Sequence, residues 1–103
     1  MDLEIVWLEA AEYNLEDIFN YYKLNATLKT ARKIVVLLVE SVDVLLRNPF
    51  IGQREDLLKT RKTEYRYLVV ENYKLIYSFD KKHVYIHLVF DARQNPVKIK
   101  RVK

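Results

Sequence analysis

Three apolar runs separated by very short gaps constrain this chain more than any other feature. The runs cover residues 65–70, 73–79 and 84–90, and β-branched and aromatic residues crowd all of them. Such runs are typical of β-strands. Because the gaps are too short for a parallel crossover, the pattern predicts an antiparallel meander. In the first gap, Glu71 and Asn72 are expected to form a two-residue hairpin turn, with Asn72 able to adopt a positive φ.

Before the meander, apolar residues recur every three or four positions. The recurrence covers residues 7–22 and then about 28–47, and it predicts two amphipathic helices. The polar residues 25–27 between them are expected to break the first helix and to cap the second. Pro49 ends the second helix, because the residue before a proline avoids the helical region.

Two segments outside the helices and the meander complete the predicted architecture. Residues 3–7 alternate and predict a short strand that can join the sheet, whereas residues 50–63 show no period and predict an irregular connector. The order is therefore β-α-α-β-β-β. We predict one domain over residues 1–103 of the α+β class, with the two-helix hairpin packed on one face of a mostly antiparallel sheet. The other face is expected to be more polar and open to a partner.

Composition restricts the class of protein. The chain has no cysteine, which excludes disulfides and thiolate zinc sites and suits a reducing compartment. Its longest apolar run, residues 34–39, is far too short to span a bilayer. The first residues are acidic where a secretory signal would be basic. We therefore expect a cytoplasmic protein that does not contact a membrane.

The charge is distributed unevenly along the chain. Residues 1–53 carry five Lys/Arg and eight Asp/Glu, a net charge of −3, whereas residues 54–103 carry thirteen and six, a net charge of +7. These sum to the +4 of the whole chain. The sheet half is therefore the better candidate for facing phosphates or an acidic partner protein, although isolated surface cations are common.

The usual catalytic motifs are missing from this sequence. Its single glycine cannot build a phosphate-binding loop, and neither serine lies in a nucleophile elbow. His83 and His87 have no carboxylate pattern beside them, so they are expected to be structural or exposed. His87 retains a role as general acid or base only as a minor alternative. We expect no metal and no small-molecule cofactor.

What remains is a set of cations and tyrosines on the sheet. Aromatic rings beside phosphate-binding cations are typical of surfaces that hold single-stranded RNA. The alternative is packing, because alternation places Tyr73 and Tyr77 on one side, against the helices. Arg66 and Arg93 interrupt or end apolar strands, so we expect both to stay out of internal ion pairs and to grip an anion on the open face. The interleaved residues are Lys59, Arg61, Lys62, Arg66, Lys74 and Arg93 among the cations, and Tyr65, Tyr67, Tyr73, Tyr77 and Tyr85 among the tyrosines.

Four groups of residues, taken in order, resemble the RelE/ParE toxins of bacterial type II toxin–antitoxin modules. The resemblance covers nearly the whole chain and agrees with the predicted element order. The matching residues are Trp7, Ala11, Leu15, Ile18 and Tyr21; Leu45, Pro49 and Gly52; Arg66, Leu68 and the run from Tyr73 to Tyr77; and the run from Val89 to Pro96.

The resemblance implies a toxin that arrests growth and is neutralised by a cognate antitoxin. RelE-like members are mRNA interferases that cleave message on the ribosome without a metal, whereas ParE-like members inhibit DNA gyrase. Both targets stay open at this stage. The alternative from another class is a non-catalytic basic binding module, or a degenerate toxin that acts as an antitoxin-bound corepressor.

The resemblance also indicates site residues. Arg93 falls on the family's basic position after the last strand, and Lys74 falls on the arginine of its second meander strand, where lysine lacks the planar fork. Tyr65 and Tyr67 fall where cleaving members carry lysines, and residues 97–103 lack their C-terminal tyrosine. If the chain is an endoribonuclease, the catalytic candidates are therefore Arg93, Lys74 and Arg66. The candidates for binding nucleic acid or another target are Lys59, Arg61, Lys62, Tyr65, Tyr67 and His87.

Overall fold

The predicted helix hairpin and sheet are both present. The structure, a computed structural model, describes residues 2–58, 60 and 62–93. None of the helices in these ranges is long and apolar enough to cross a membrane. The strands are β1 (Glu4–Trp7), β2 (Gln53–Arg54), β3 (Arg66–Val70), β4 (Tyr73–Phe79) and β5 (His83–Asp91), and the helices are α1 (Glu9–Asn25) and α2 (Leu28–Ser41).

The sheet has five strands in the order β1-β5-β4-β3-β2. Strand β1 runs parallel to β5, and all other neighbours are antiparallel, as the short connections require. The prediction of an irregular connector missed β2, in which Gln53 pairs with Tyr67 and Arg54 with Arg66. Two polar residues carry no alternation, so the sequence gives no period from which to infer this edge strand.

The helices follow the predicted stripes with one difference at the end of α2. Thr27 caps α2, because its hydroxyl accepts a hydrogen bond of 3.0 Å from the amide of Thr30. The second helix was predicted to continue to about residue 47. The α-helix instead ends at Ser41, and a 3₁₀ segment, Val42–Leu46, completes the stripe. Since i and i+3 share a face in both helix types, the apolar spacing does not distinguish them.

The main core lies between the helices and one face of the sheet. Tyr73, Leu75 and Tyr77 of β4 are buried on this helix side, which confirms the prediction from alternation. They pack with Leu38 of α2 and Leu45 of the 3₁₀ segment, among others. Because side chains alternate along β4, the residues between these three lie on the opposite face of the sheet, which we call the far face.

The far face is less open than predicted. Leu58 and Tyr65 of the connector are buried against Ile76 of β4, in a second apolar cluster. Leu88 and Phe90 of β5 pack on the same cluster. The expectation of a polar, open far face is thus wrong over this part of the sheet, because the connector folds back over it.

A bulge in β5 lets this strand contribute residues to the apolar clusters on both faces of the sheet. Ile76 pairs with Leu88 and Tyr77 with Ile86, so His87 is an extra residue in β5. The bulge changes the alternation, and Ile86 and Val89 both reach the helix-side core. The preceding turn also differs in detail from its prediction, since the positive φ, 55°, lies at Glu71 rather than at Asn72.

The hydroxyl of Tyr77 fixes the loop before β2. This completely buried residue donates a hydrogen bond of 2.6 Å to the carbonyl oxygen of Pro49 and accepts one of 2.9 Å from the amide of Gly52. A Cβ atom on Gly52 would lie 2.5 Å from the Tyr77 hydroxyl oxygen and 2.7 Å from the Tyr67 carbonyl oxygen. Only glycine therefore permits this approach of loop to strand.

We expect Gly52→Ala to lower the free energy of unfolding by about 1–3 kcal/mol, because the methyl group must displace a buried ring or a strand carbonyl. Urea unfolding followed by circular dichroism measures this change. Lys81→Ala, at an exposed position in the β4–β5 turn, is the control and should change the unfolding free energy by less than about 0.5 kcal/mol. Equal stability of Gly52→Ala and the wild type would contradict the close approach described here.

Candidate functional site

A cleft lies between α1 and the adjoining ends of β4 and β5, and Arg93 lies at its edge. We call it the Arg93 cleft; its volume is about 630 Å³. It forms here because α1 packs over β5, where the side chain of Asn14 accepts a hydrogen bond of 2.9 Å from the amide of Val89. Its lining includes Asn14, Asp17, Tyr21, Tyr22, Tyr73, Asp91 and Arg93.

Asp91 holds the Arg93 side chain in a forked arrangement. The Nε and Nη2 atoms of Arg93 lie 2.9 and 2.6 Å from the two Asp91 carboxylate oxygens, and the Arg93 amide also donates to Asp91. Asn72 donates to the same carboxylate. The hydrogen bonds from Arg93 lower the pKa of Asp91 to about 2. The pair is therefore ionised at neutral pH, yet the Arg93 side chain is still 76% exposed.

A tyrosine pair forms the inner wall of the cleft. The hydroxyl of Tyr73 donates a hydrogen bond of 3.3 Å to the hydroxyl of Tyr22 on α1. Burial, and then the bond to Tyr22, raises the pKa of Tyr73 well above its ordinary value, so the Tyr73 hydroxyl stays neutral and its hydrogen bond joins sheet to helix. The edge of the Tyr21 ring meets the Tyr22 ring with centroids 5.2 Å apart.

Lys74 lies on the opposite face of the sheet from the Arg93 cleft. Its Nζ atom is 2.8 Å from a carboxylate oxygen of Glu55, whose side chain is only 3% exposed. The same ammonium lies 4.0 Å from the centroid of the Tyr67 ring, a cation–π contact. Lys74 therefore neutralises a buried carboxylate of the connector.

Arg66 is a structural residue in this fold. Its Nη1 atom donates to the carbonyl oxygens of Gly52 at 2.8 Å and Phe50 at 3.2 Å, and its Nε atom pairs with Glu64 at 2.9 Å. The guanidinium is only 15% exposed. The expectation that Arg66 and Arg93 stay outside internal ion pairs is wrong for both, since each has a carboxylate two positions away in sequence.

The three catalytic candidates do not converge on one point. Tyr73 pairs with Asp91, beside Arg93, and Tyr77 pairs with Arg66. These two tyrosines are four residues apart, about 14 Å along β4, so the two arginines lie toward opposite ends of that strand. Lys74 projects from the other face of β4, where its strand neighbour Phe90 packs on the far-face cluster.

The predicted binding residues are also dispersed. Tyr65 is 4% exposed, so its ring is not available on the surface and we withdraw it from the binding set. The ring of Tyr67 is partly buried under Lys74, and its hydroxyl donates to Gln53. Lys62 is exposed. Lys59 and Arg61, as well as residues 94–103 with the end of the family-like motif, lie outside the described residues.

His87 is held inside the fold, as the structural alternative predicted. Its Nε2 atom lies 2.7 Å from the hydroxyl of Ser78, and its ring meets the Tyr65 ring edge-on at 5.0 Å. Burial lowers the pKa of His87, which favours the neutral imidazole. Among the described residues, no group of three His, Cys, Asp or Glu side chains is placed to hold a metal ion.

Sequence reasoning missed the carboxylates that determine this electrostatic arrangement. Asp91 is only two residues from Arg93, so a local ion pair was available as a signal. Glu55 gave no such signal, because it is 19 positions from Lys74 and meets it only through the path of the connector. Tyr22 and Asn14 lie on the stripe side of α1, but nothing in their spacing indicates a cleft.

Comparisons with known proteins agree with this architecture. The family model for the ParE toxin of type II toxin–antitoxin systems, parDE, matches residues 5–96. A solved structure of the chromosomal ParDE TA system from P. aeruginosa is similar in fold: its chain is 20% identical, the match covers 86% of this chain and 95% of that one, and the TM-score is 0.72. The search of curated proteins gave no match. Since the family model spans most of its length, this chain belongs to the ParE toxin family of type II toxin–antitoxin systems.

Proposed function

We propose that this chain arrests growth by binding DNA gyrase rather than by cleaving mRNA, and that an antitoxin encoded with it neutralises it. The observation that carries the proposal is the separation of Arg93, Lys74 and Arg66 over two faces and two ends of β4. Membership of the ParE family also supports gyrase as the target.

Cleavage of RNA by its own 2′-hydroxyl group places strict demands on geometry. A proton acceptor, a proton donor and cations must all surround one phosphate within hydrogen-bonding distance. Arg66 on β3 and Arg93 after β5 lie toward opposite ends of β4, and each is held by its own carboxylate, so the two are not positioned around one phosphate. Lys74, on the other face, cannot join either of them without refolding of the sheet. The candidate catalytic set thus lacks a common reaction centre.

The ion pairs strengthen this argument. Recruiting Lys74 to a phosphate would leave the buried carboxylate of Glu55 without its cation, a costly change. Arg66 would have to release two loop carbonyl groups as well as Glu64. Of the three catalytic candidates, Arg93 is the one whose ion pair leaves it highly exposed, so it can contact a partner while Asp91 keeps its fork oriented.

Binding without chemistry needs only a shaped surface, and the Arg93 cleft supplies one. Its aromatic wall of Tyr21, Tyr22 and Tyr73 and its oriented guanidinium are features typical of binding hot spots. We therefore assign the gyrase contact to this cleft. The antitoxin, the expected partner of a ParE toxin, would neutralise the chain by denying gyrase access to it.

The decisive experiment induces the chain with and without its antitoxin in the same host. We expect growth arrest only without the antitoxin, ribosome-bound message of full length, and loss of DNA supercoiling by purified gyrase when the purified chain is added. Arrest with cleaved message would replace the proposal with the RelE-like mechanism. Absence of arrest would favour the corepressor alternative.

We expect Arg93→Ala to abolish growth arrest and gyrase inhibition while changing the unfolding free energy by no more than about 0.5 kcal/mol, because its side chain is exposed. Growth curves and urea unfolding measure the two effects. Arg54→Ala is the matched control, since Arg54 is also an exposed arginine paired with a carboxylate, Glu64. Full toxicity of Arg93→Ala would show that the cleft is not the contact.

Lys74→Met should lower the free energy of unfolding by about 3–5 kcal/mol, because it leaves a buried carboxylate unpaired. The double variant Lys74→Met/Glu55→Gln removes that charge and should recover most of the loss. If Lys74 is structural, the double variant remains toxic in the growth assay. A stably folded but harmless double variant would return Lys74 to the functional site.

A further inference from the structure

The helix hairpin presents a regular outer surface that the fold leaves exposed. Buried Ala11 and Ile18 of α1, and Ala31 and Leu38 of α2, face the sheet. On the opposite side, exposed residues recur at steps of four, three and four in both helices, which places each set on one stripe. These outer stripes are Glu9, Tyr13, Glu16 and Asn20 on α1, and Lys29, Lys33, Val36 and Glu40 on α2.

The charges on this surface are separated by position along the hairpin. The helices are joined by only two residues and therefore run antiparallel, so the start of α1 lies beside the end of α2. Exposed Tyr13 and Val36, 59% and 52% accessible, lie among these charges. We define the acidic end as Glu9, Glu12, Glu16 and Glu40, and the basic end as Lys29, Arg32 and Lys33.

These seven charges are not neutralised within the described part of the chain. The ion pairs found there join other residues, from Arg54 to Arg93, on the sheet and its connectors. The hairpin is thus a dipolar surface with an apolar centre. Each end offers its full charge to whatever packs against the outer stripes.

We propose that the outer face of the hairpin is a self-association surface that binds a second copy of this chain. A two-fold axis near Tyr13 and Val36 brings both apolar centres together and places the acidic end of each copy against the basic end of the other. This arrangement pairs the charges at both ends of each copy. A uniformly acidic or basic partner would be repelled at one end.

The size of the surface indicates the strength of the contact. A 17-residue helix is about 25 Å long and packed helices lie about 10 Å apart, so the face covers about 500 Å² in each copy. The total of about 1,000 Å² is at the lower limit for a specific interface. An interface of this size is typical of reversible association, and its opposed charges make that association depend on salt. This inference does not rest on the gyrase proposal, because the surface lies across α1 and α2 from the sheet.

The test measures the oligomeric state of the full chain, made by cell-free synthesis so that toxicity does not interfere, by sedimentation equilibrium. We expect a reversible dimer that dissociates as the ionic strength rises from about 0.01 M to about 1 M, because the screening length falls from about 30 to about 3 Å. Failure to dimerise at low salt and high micromolar concentration overturns the proposal.

Charge reversal tests which surface associates. Arg32→Glu/Lys33→Glu makes both ends acidic, and Glu9→Lys/Glu16→Lys/Glu40→Lys makes both ends basic. Each variant should weaken self-association at least about tenfold, because like charges then meet at both contacts. An equimolar mixture of the two should recover a heterodimer, because opposite ends meet again. Dimers that persist in both variants, or a mixture that stays monomeric, would place the interface elsewhere or exclude it.

Two further variants separate this surface from general effects. Lys81→Glu/Lys82→Glu reverses two exposed charges in the β4–β5 turn and should leave the dimer unchanged. Val36→Asp should weaken the dimer without unfolding the chain, as thermal unfolding by circular dichroism will show. A free chain that is monomeric, but whose hairpin is protected from hydrogen exchange by the antitoxin, would give this face a different occupant and would overturn self-association.

Discussion

The buried hydroxyl of Tyr77 is the interaction on which the rest of the structure depends. By bonding to Pro49 and Gly52 it attaches the end of the helical half of the chain to the central strand β4. The carbonyl groups of Phe50 and Gly52 are thereby presented to Arg66, and Gln53 and Arg54 are aligned beside β3. Loss of this contact would release the loop, the edge strand and the arginine together. A phenol is suited to this position because its ring fills the core while its oxygen satisfies one backbone donor and one acceptor.

The path of the connector explains why, among the described residues, Lys74 does not form part of an open cationic face. After β2, the chain carries Glu55 under the far face and covers Ile76 with Leu58 and Tyr65. A carboxylate buried there requires a cation, and Lys74 on β4 is the one that reaches it. The ammonium group of Lys74 is thus already paired with a carboxylate inside the fold. The same covering packs Tyr65 against the partly buried ring of His87, which is held beside Ser78.

Sequence alone predicted the layers of the fold and the side of the sheet that each β4 residue faces. It succeeded there because these elements are long enough for their apolar residues to show a clear period. It also identified the RelE/ParE family, which the family match confirms. It failed where the structure depends on a single residue or on a contact between parts of the chain that are distant in sequence. Strand β2 has only two residues, too few to show alternation. The extra residue at His87 shifts the pairing register between β4 and β5, and the apolar composition of β5 gives no sign of it. In the candidate site, Arg93 was predicted, but the cleft beside it depends on how α1 packs over β5, through contacts such as that between Asn14 and Val89.

Charge counted along the chain proved a poor guide to charge on the surface. The second half carries the excess of Lys and Arg, yet Arg54, Arg66, Lys74 and Arg93 all pair with carboxylates of that same half. The acidic first half instead holds Lys29, Arg32 and Lys33 together on one exposed turn of helix, without a partner among the described residues. Electrostatic attraction to another molecule depends on charge that the fold leaves unneutralised, not on the total. Within the part of the chain that the structure describes, the helix hairpin therefore presents a concentrated group of unpaired cations, whereas these four cations of the sheet half hold the sheet and its connectors together.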